Sequence, residues 1–292
     1  MQSREQREPD RFFDGGEAGE PPPGHDAPLR IVLQRHLDDG VESFTLGRAV
    51  GYDDRRLGRL LVPSDTRFRT DLTSVPWLFT WLVPRTGRHL PAALLHDGLV
   101  GGADEPPSYV SEEGHVVARD EADRVFRDAM GDLGTRVVRR WLVWAAVTVA
   151  TIYAGSAAWS RRQRWHYRLA ATLSIGTVLV LGTIATLDLF DGGPTLPWMG
   201  DRPWPHEVLG GLAGAVVIPC VLGLLWGRFR VAGTLSGVAL AVLFHVSVVL
   251  VALTGLYQAV EWAASRAPRA TAAAAAVVVA VSVVVLALSA RW

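Results

Sequence analysis

Four long apolar runs occupy the second half of this 292-residue chain: Leu169 to Leu187, Val208 to Trp226, Val231 to Leu256 and Ala270 to Ala290. None contains an arginine. A helix rises about 1.5 Å per residue and needs about 20 apolar residues to cross a hydrocarbon core of about 30 Å, so each run has roughly the length of a span. A core helix of a soluble bundle keeps a polar stripe, whereas these runs are apolar around the whole circumference. Gly210, Gly211 and Gly214, set into the run from Val208 to Trp226, are the small residues that let membrane helices approach closely. The expectation is a multi-pass protein of the cell membrane. Its first partner is the lipid bilayer, and residues 161–292 form an all-α transmembrane bundle.

The first half is different in kind. Charged residues crowd the first 140 positions, so a formal net charge of zero sums two unlike parts. No basic face of the kind that binds nucleic acid follows from it. Every one of the 29 basic residues is arginine, which together with abundant Ala, Gly and Val reads as a GC-rich coding bias. The one cysteine, Cys220, lies inside an apolar run and leaves no partner for an intramolecular disulfide or a Cys-based zinc site.

Along the chain, residues 1–29 are polar, acidic and rich in Gly and Pro, and are expected to be a disordered tail. No basic start followed by an apolar stretch precedes residue 30, so no secretory signal is read there. Residues 30–160 are expected to form a soluble α+β domain. Short alternating segments, Ile31 to His36, Val41 to Gly47 and Leu57 to Val62, read as antiparallel strands separated by turns at Asp38-Asp39-Gly40 and Asp53-Asp54. Helical patterning follows over Trp77 to Leu82, His89 to Leu99 and Arg119 to Leu133, with a loop over Ala103 to Val117.

Arg136 to Trp159 is apolar enough to span, yet Arg136, Arg139 and Arg140 flank one end and Arg161, Arg162, Arg164 and Arg168 the other. Arg-rich short loops stay on the cytoplasmic side. The acidic linker of residues 188–207 then lies outside, and Gly227 to Arg230 inside, with Arg266 and Arg269 weighing mildly against the scheme. Four spans with a cytoplasmic N-terminal domain fit this distribution, and Arg136 to Trp159 then packs on the domain or lies in the interface. The second arrangement has five spans.

Three short signatures lie in the soluble half: Thr70-Asp71-Leu72-Thr73-Ser74-Val75-Pro76, then Ala92-Ala93-Leu94-Leu95-His96-Asp97, then Arg119-Asp120-Glu121-Ala122-Asp123-Arg124-Val125-Phe126, with Val62-Pro63 just upstream of the first. In this order they resemble the domain of unknown function 1353 family, small proteins common in phages and bacteria, over roughly residues 45–150. The resemblance implies a fold unit and a site, but no reaction. The family often continues His-Asp with Trp-Leu-Tyr, where this chain has Gly98-Leu99-Val100.

Two readings of these residues stand side by side. His96, Asp97, Asp71 and Asp123 could form a His and carboxylate cluster. In that reading His96, Asp97 and Asp71 would ligate a divalent metal, whose bound water would be a hydrolytic nucleophile. The other reading is structural: Asp71 holds its turn, Ser74 caps the next helix, Asp120 and Asp123 favour a first helical turn, and His96 is a hydrogen-bonded core residue. A His-Asp phosphohydrolase would need further motif residues in an all-helical domain, and Ser74 lacks a nucleophile elbow. Inside the membrane half only His245 lies deep in a run, which is sparse for a transporter. The expectation is a membrane-anchored interaction module, recruiting a protein partner or a second copy through the bundle. The alternative is a membrane-tethered metal-dependent hydrolase.

Overall fold

The computed structural model describes residues 11–19, 28–38, 40–64, 68–72, 86–101, 106–189, 196 and 203–269, with 271–273, 276–277 and 281 beyond. The expected helix at Trp77 to Leu82, Ser74 with its Val75-Pro76, and nearly all of the run Ala270 to Ala290 lie outside the described residues. The chain divides into two compact units, residues 1–242 and 243–292.

The first unit opens with strands. β1 (Phe12–Asp14), β4 (Val50–Asp54), β5 (Gly58–Val62) and β6 (Val110–Ser111) form an antiparallel sheet in that spatial order. β2 (Leu33–Asp38) and β3 (Val41–Leu46) form a separate hairpin. Leu60 and Val62 point alternately into the core, as a half-buried strand requires. Asp53 and Asp54, read from sequence as a turn, are instead the end of β4. The turn follows at residues 55–57, where the Asp54 carboxylate accepts the N–H groups of Arg56 and Leu57, each at 2.9 Å.

The tail expected over residues 1–29 is ordered at 11–19. Phe12 is buried with its ring 4.7 Å from that of Tyr52, and buried Asp14 pairs with Arg48 at 2.9 Å. Gly51 makes room for the added strand, since a Cβ there would lie 2.2 Å from the Phe13 ring. Three residues are too few to show strand alternation. Two aromatic side chains and one paired carboxylate hold the segment instead.

α1 (Leu90–Val100) has a proline in its first turn, where a missing N–H costs nothing. It ends at Gly101, whose φ of 68° favours glycine. Leu94, Leu95 and Leu99 are buried, so the helix crosses the middle of the core. α2 (Arg119–Asp132) is amphipathic, with Ala122, Val125, Phe126 and Ala129 inward. α3 (Val137–Ala154) runs back along α2. At one end Arg140 lies against Gly131, and at the other the Ser156 hydroxyl donates to Asp120 at 3.1 Å.

α4 (Arg161–Leu189) follows, and Arg168 near its start donates to the carbonyls of Ile152 and Tyr153 at the end of α3. α5 (Trp204–Gly223) passes through a short 3-10 segment (Leu224–Phe229) into α6 (Arg230–Arg266). At Gly227 the backbone turns non-helical, with φ 57° and ψ −119°. A Cβ on Gly237 would lie 2.7 Å from Pro219, and one on Gly223 would meet Thr234. In a straight helix positions 219 and 237 would be about 27 Å apart, so α5 and the start of α6 form a close hairpin. A second core gathers at its turn, from Trp159, Tyr167, Trp226 and Phe229 with Ile152 and Ala171.

Three helical stretches among the described residues are long and apolar enough to cross a membrane: Val137–Ala154, Arg161–Asp188 and Trp204–Arg266, the last containing the break at Gly227. In the second unit, the part of α6 after residue 242 presents Val246, Val249, Leu253 and Leu256 exposed.

Candidate functional site

The three sequence signatures converge. α1 carries His96 and Asp97, α2 carries Asp123 one turn in from its start, and Thr70 sits at an isolated bridge to Phe44 of β3. His96 Nε2 lies 3.0 Å from Asp123 Oδ1, and His96 Nδ1 lies 3.9 Å from Asp97 Oδ1. The Thr70 hydroxyl donates to Asp97 Oδ2 at 2.5 Å and accepts the Leu72 N–H at 2.8 Å. Leu72 is buried with φ 71°, a backbone conformation that costs a Leu about 1–2 kcal/mol, and the neighbouring hydroxyl helps to hold it.

His96 is mostly enclosed, and its ring lies 5.0 Å from the Phe126 ring. Burial by itself favours a neutral imidazole. The hydrogen bonds and charges of Asp123 and Asp97 outweigh it, and the pKa is pushed up to about 9. At neutral pH His96 is therefore an imidazolium between two carboxylates. Asp123 is 1 % exposed, and its second oxygen, Oδ2, has no hydrogen-bond partner among the described residues.

Metal ligation would require a neutral imidazole with a free lone pair, and in this arrangement both His96 nitrogens face carboxylates. Among the described residues no group of three or more His, Cys, Asp or Glu stands where it could hold an ion. His96, Asp97 and Asp123 are brought together, but Asp71 is exposed, one position beyond the threonine whose hydroxyl reaches the cluster. Thr70, taken from sequence only as the partner of Asp71 in a turn, touches the site through its hydroxyl.

A second network starts from the next residue of α2. The Arg124 guanidinium donates to both oxygens of fully enclosed Asp54, at 2.7 and 3.0 Å, and also to Glu121 and Asp128. Burial would raise the Asp54 pKa, but Arg124 and the two turn N–H groups hold the carboxyl below its usual range. Asp132 accepts the Tyr52 hydroxyl at 2.8 Å and a two-pronged contact from Arg55. Sequence reading missed Asp54, Arg124 and Asp132 as a set, because their partners are 70 and 77 positions away. The one local signal was the (i, i+4) spacing of Arg124 and Asp128.

Gly98, at the position where the resembled family often has Trp, packs on β5. A Cβ there would lie 2.4 Å from Val62. No large side chain fits at that position while α1 lies on the sheet.

At the far end of the domain Asp120 accepts from Arg228 at 2.7 Å as well as from Ser156. The Arg228 guanidinium also lies 4.8 to 5.9 Å from the ring centroids of Phe229, Trp159 and Tyr167. The first turn of α2 thus meets the turn of the α5–α6 hairpin.

Residues 44–147 match the family model described as "Protein of unknown function (DUF1353)", which takes in all three signatures and most of α3. No curated protein and no solved structure matches the chain.

Proposed function

We propose that this chain is a membrane-anchored, non-catalytic module. Its family domain is held on one face of the bilayer by a bundle of apolar helices, and the His96 cluster is a structural clamp rather than a reaction centre. The observation that carries the reading is the environment of His96: a nearly enclosed ring, 3.0 Å from a buried carboxylate and 3.9 Å from a second one, which together push its pKa up. It ties α1 to α2, and through Thr70 and Asp97 to β3.

The packing of α3 supports counting it with the domain rather than as a span, because it lies along charged α2 from end to end. On this reading α4, α5 and α6 cross the bilayer, with the run Ala270 to Ala290 as a fourth span. The Asp120 to Arg228 contact supports a reading in which the domain and the α5–α6 turn lie on one side. The arginines of residues 161–168 and 228–230 favour the cytoplasm for that side. The exposed apolar faces of α5 and α6 meet lipid, and a protein partner or a second copy of the chain is recruited through the bundle or the domain surface.

The test is elemental analysis and thermal melting of the full-length protein, as wild type and as His96→Gln. A clamp gives no stoichiometric metal in either and a lower melting temperature in the variant. Stoichiometric metal in wild type, lost in an equally stable variant, would overturn the reading in favour of a membrane-tethered hydrolase using His96, Asp97 and Asp123.

A further inference from the structure

Between Leu133 and Leu187 the sequence holds seven arginines and no Asp or Glu. Some of these cations are consumed inside the fold. Arg168 donates to the last carbonyls of α3, Arg164 packs at Gly155, and from the hairpin turn Arg228 pairs with Asp120. Arg136 and Arg139 at the start of α3, Arg161 and Arg162 at the start of α4 and Arg230 at the start of α6 are exposed. The guanidinium groups of Arg161, Arg162 and Arg230 have no hydrogen bond, ion pair or ring contact among the described residues.

They share one end of the bundle. The ring of Tyr167 lies 5.0 Å from that of Phe229 and the ring of Trp159 lies 5.4 Å from it, so the starts of α4 and α6 are neighbours. Trp165, on the turn after Arg161, is 55 % exposed, and Leu169 and Leu173 continue the same helix as exposed apolar side chains. Eight residues of helix separate Arg161 from Leu169, about 12 Å, which exceeds the roughly 5–8 Å headgroup layer on each side of the hydrocarbon core, so one end can stand among headgroups while the other meets acyl chains. An exposed Trp belongs at that level, and Arg can run its apolar stem along the helix while its head stays in the polar layer.

We infer that this end of the bundle, carrying Arg161, Arg162 and Arg230 beside Trp165, is a docking surface for the headgroups of anionic phospholipids. The occupant is lipid rather than a soluble anion because the free cations sit within two turns of side chains that face acyl chains. The inference rests on the proposal that α4 and α6 span the bilayer. Near an anionic surface each Arg favours the charged lipid by about five-fold, so three give a preference on the order of a hundred-fold at most.

The experiment incorporates the full-length protein into phosphatidylcholine vesicles with and without phosphatidylglycerol. Brominated forms of either lipid then compete for the protein surface, read by quenching of tryptophan fluorescence. Wild type is expected to prefer phosphatidylglycerol several-fold or more. Arg161→Gln and Arg162→Gln should each weaken the preference, the triple change with Arg230→Gln should abolish it, and the corresponding triple Lys variant should keep it. Equal binding of both lipids, or an undiminished preference in the two single variants, overturns the inference while leaving the membrane reading intact. Loss of the preference on adding inorganic phosphate at constant ionic strength would make this a free-anion site and overturn it too. Failure of wild type to enter either vesicle would defeat the membrane reading itself.

Discussion

His96 should make the stability of this protein depend on pH in a direction that distinguishes a clamp from a ligand. Its pKa is 6.5 in an unfolded chain and about 9 in the fold. The fold therefore binds this proton more tightly, which corresponds to about 3 kcal/mol of stabilisation. Below pH 6.5 both states carry the proton and the stabilisation is fully present. As pH rises past 6.5 the unfolded chain releases it first, so folding has to take a proton up, and the contribution fades until it is gone above about pH 9. The perturbation is His96→Gln, which removes the titration. The assay is the stability of wild type minus that of the variant, by thermal or denaturant melting across this range, so that other titrating groups cancel. The difference should shrink by about 3 kcal/mol between pH 6 and pH 9.5. A difference independent of pH, or one that grows with pH, would refute the reasoning. It would mean that His96 is neutral in the fold, the state that metal ligation and general-base chemistry both require.

Three further outcomes are expected. Asp54→Asn leaves the nearly enclosed Arg124 with half of its buried pair. It should destabilise by about 3 kcal/mol at neutral pH, and because the Asp54 pKa is lowered in the fold the penalty should begin to fade only below the ordinary pKa of 3.8 and be gone once pH has fallen through the lower folded value, checked by paired melting curves. Asp120→Arg and Arg228→Asp should each loosen the domain from the hairpin turn, and the double exchange should recover most of the loss. This partly exposed pair is worth about 1 kcal/mol or less, so a double-mutant cycle in melting temperature is the measurement, and simple additivity would deny the contact. Gly237→Leu drives a side chain into Pro219 and should cost about 1–3 kcal/mol, whereas Gly176→Leu, where a Cβ meets nothing within 4 Å, should be near neutral by the same melting assay.

Long periodic segments were the most legible part of the fold. α1 and α2 were expected within about a residue of their bounds, because many side chains vote for one face; for α4 only the apolar part, Leu169 to Leu187, was expected, and the helix begins eight residues earlier at Arg161. β4 was not read, since Val50, Gly51 and Tyr52 are all buried and show no alternation, and the acidic pair at its end looks like a turn in isolation. β1 could not be read from three residues. Its stability comes from Tyr52 and Arg48, which lie more than 30 positions away. α3 illustrates a different ambiguity. Its composition satisfies the criteria for a span, but its buried residues Val143, Ala145, Thr148 and Thr151 gather toward the neighbouring helices, while Val137 and Val138 stay exposed. Composition measures how apolar a helix is, not what covers it.

The candidate site was legible as a set of residues and illegible as chemistry, and the reason is electrostatic. A histidine followed by an aspartate, with carboxylates further along, has the same sequence whether the imidazole is neutral or charged. What decides is geometry: a neutral ligand needs one nitrogen aimed at open coordination space, and here the ring sits between oxygens at 3.0 and 3.9 Å. Each carboxylate that approaches raises the proton affinity of the ring, so a proton competes for the nitrogen that a ligand would have to offer. The uncompensated Oδ2 of Asp123 sharpens the point. Two carboxylates and one imidazolium leave a net negative charge, and Asp123 is nearly fully enclosed, so protonation of His96 is what makes its burial tolerable. Removing the proton would leave that carboxylate buried without a counter-charge. On the proposed reading the site keeps its proton rather than exchanging it.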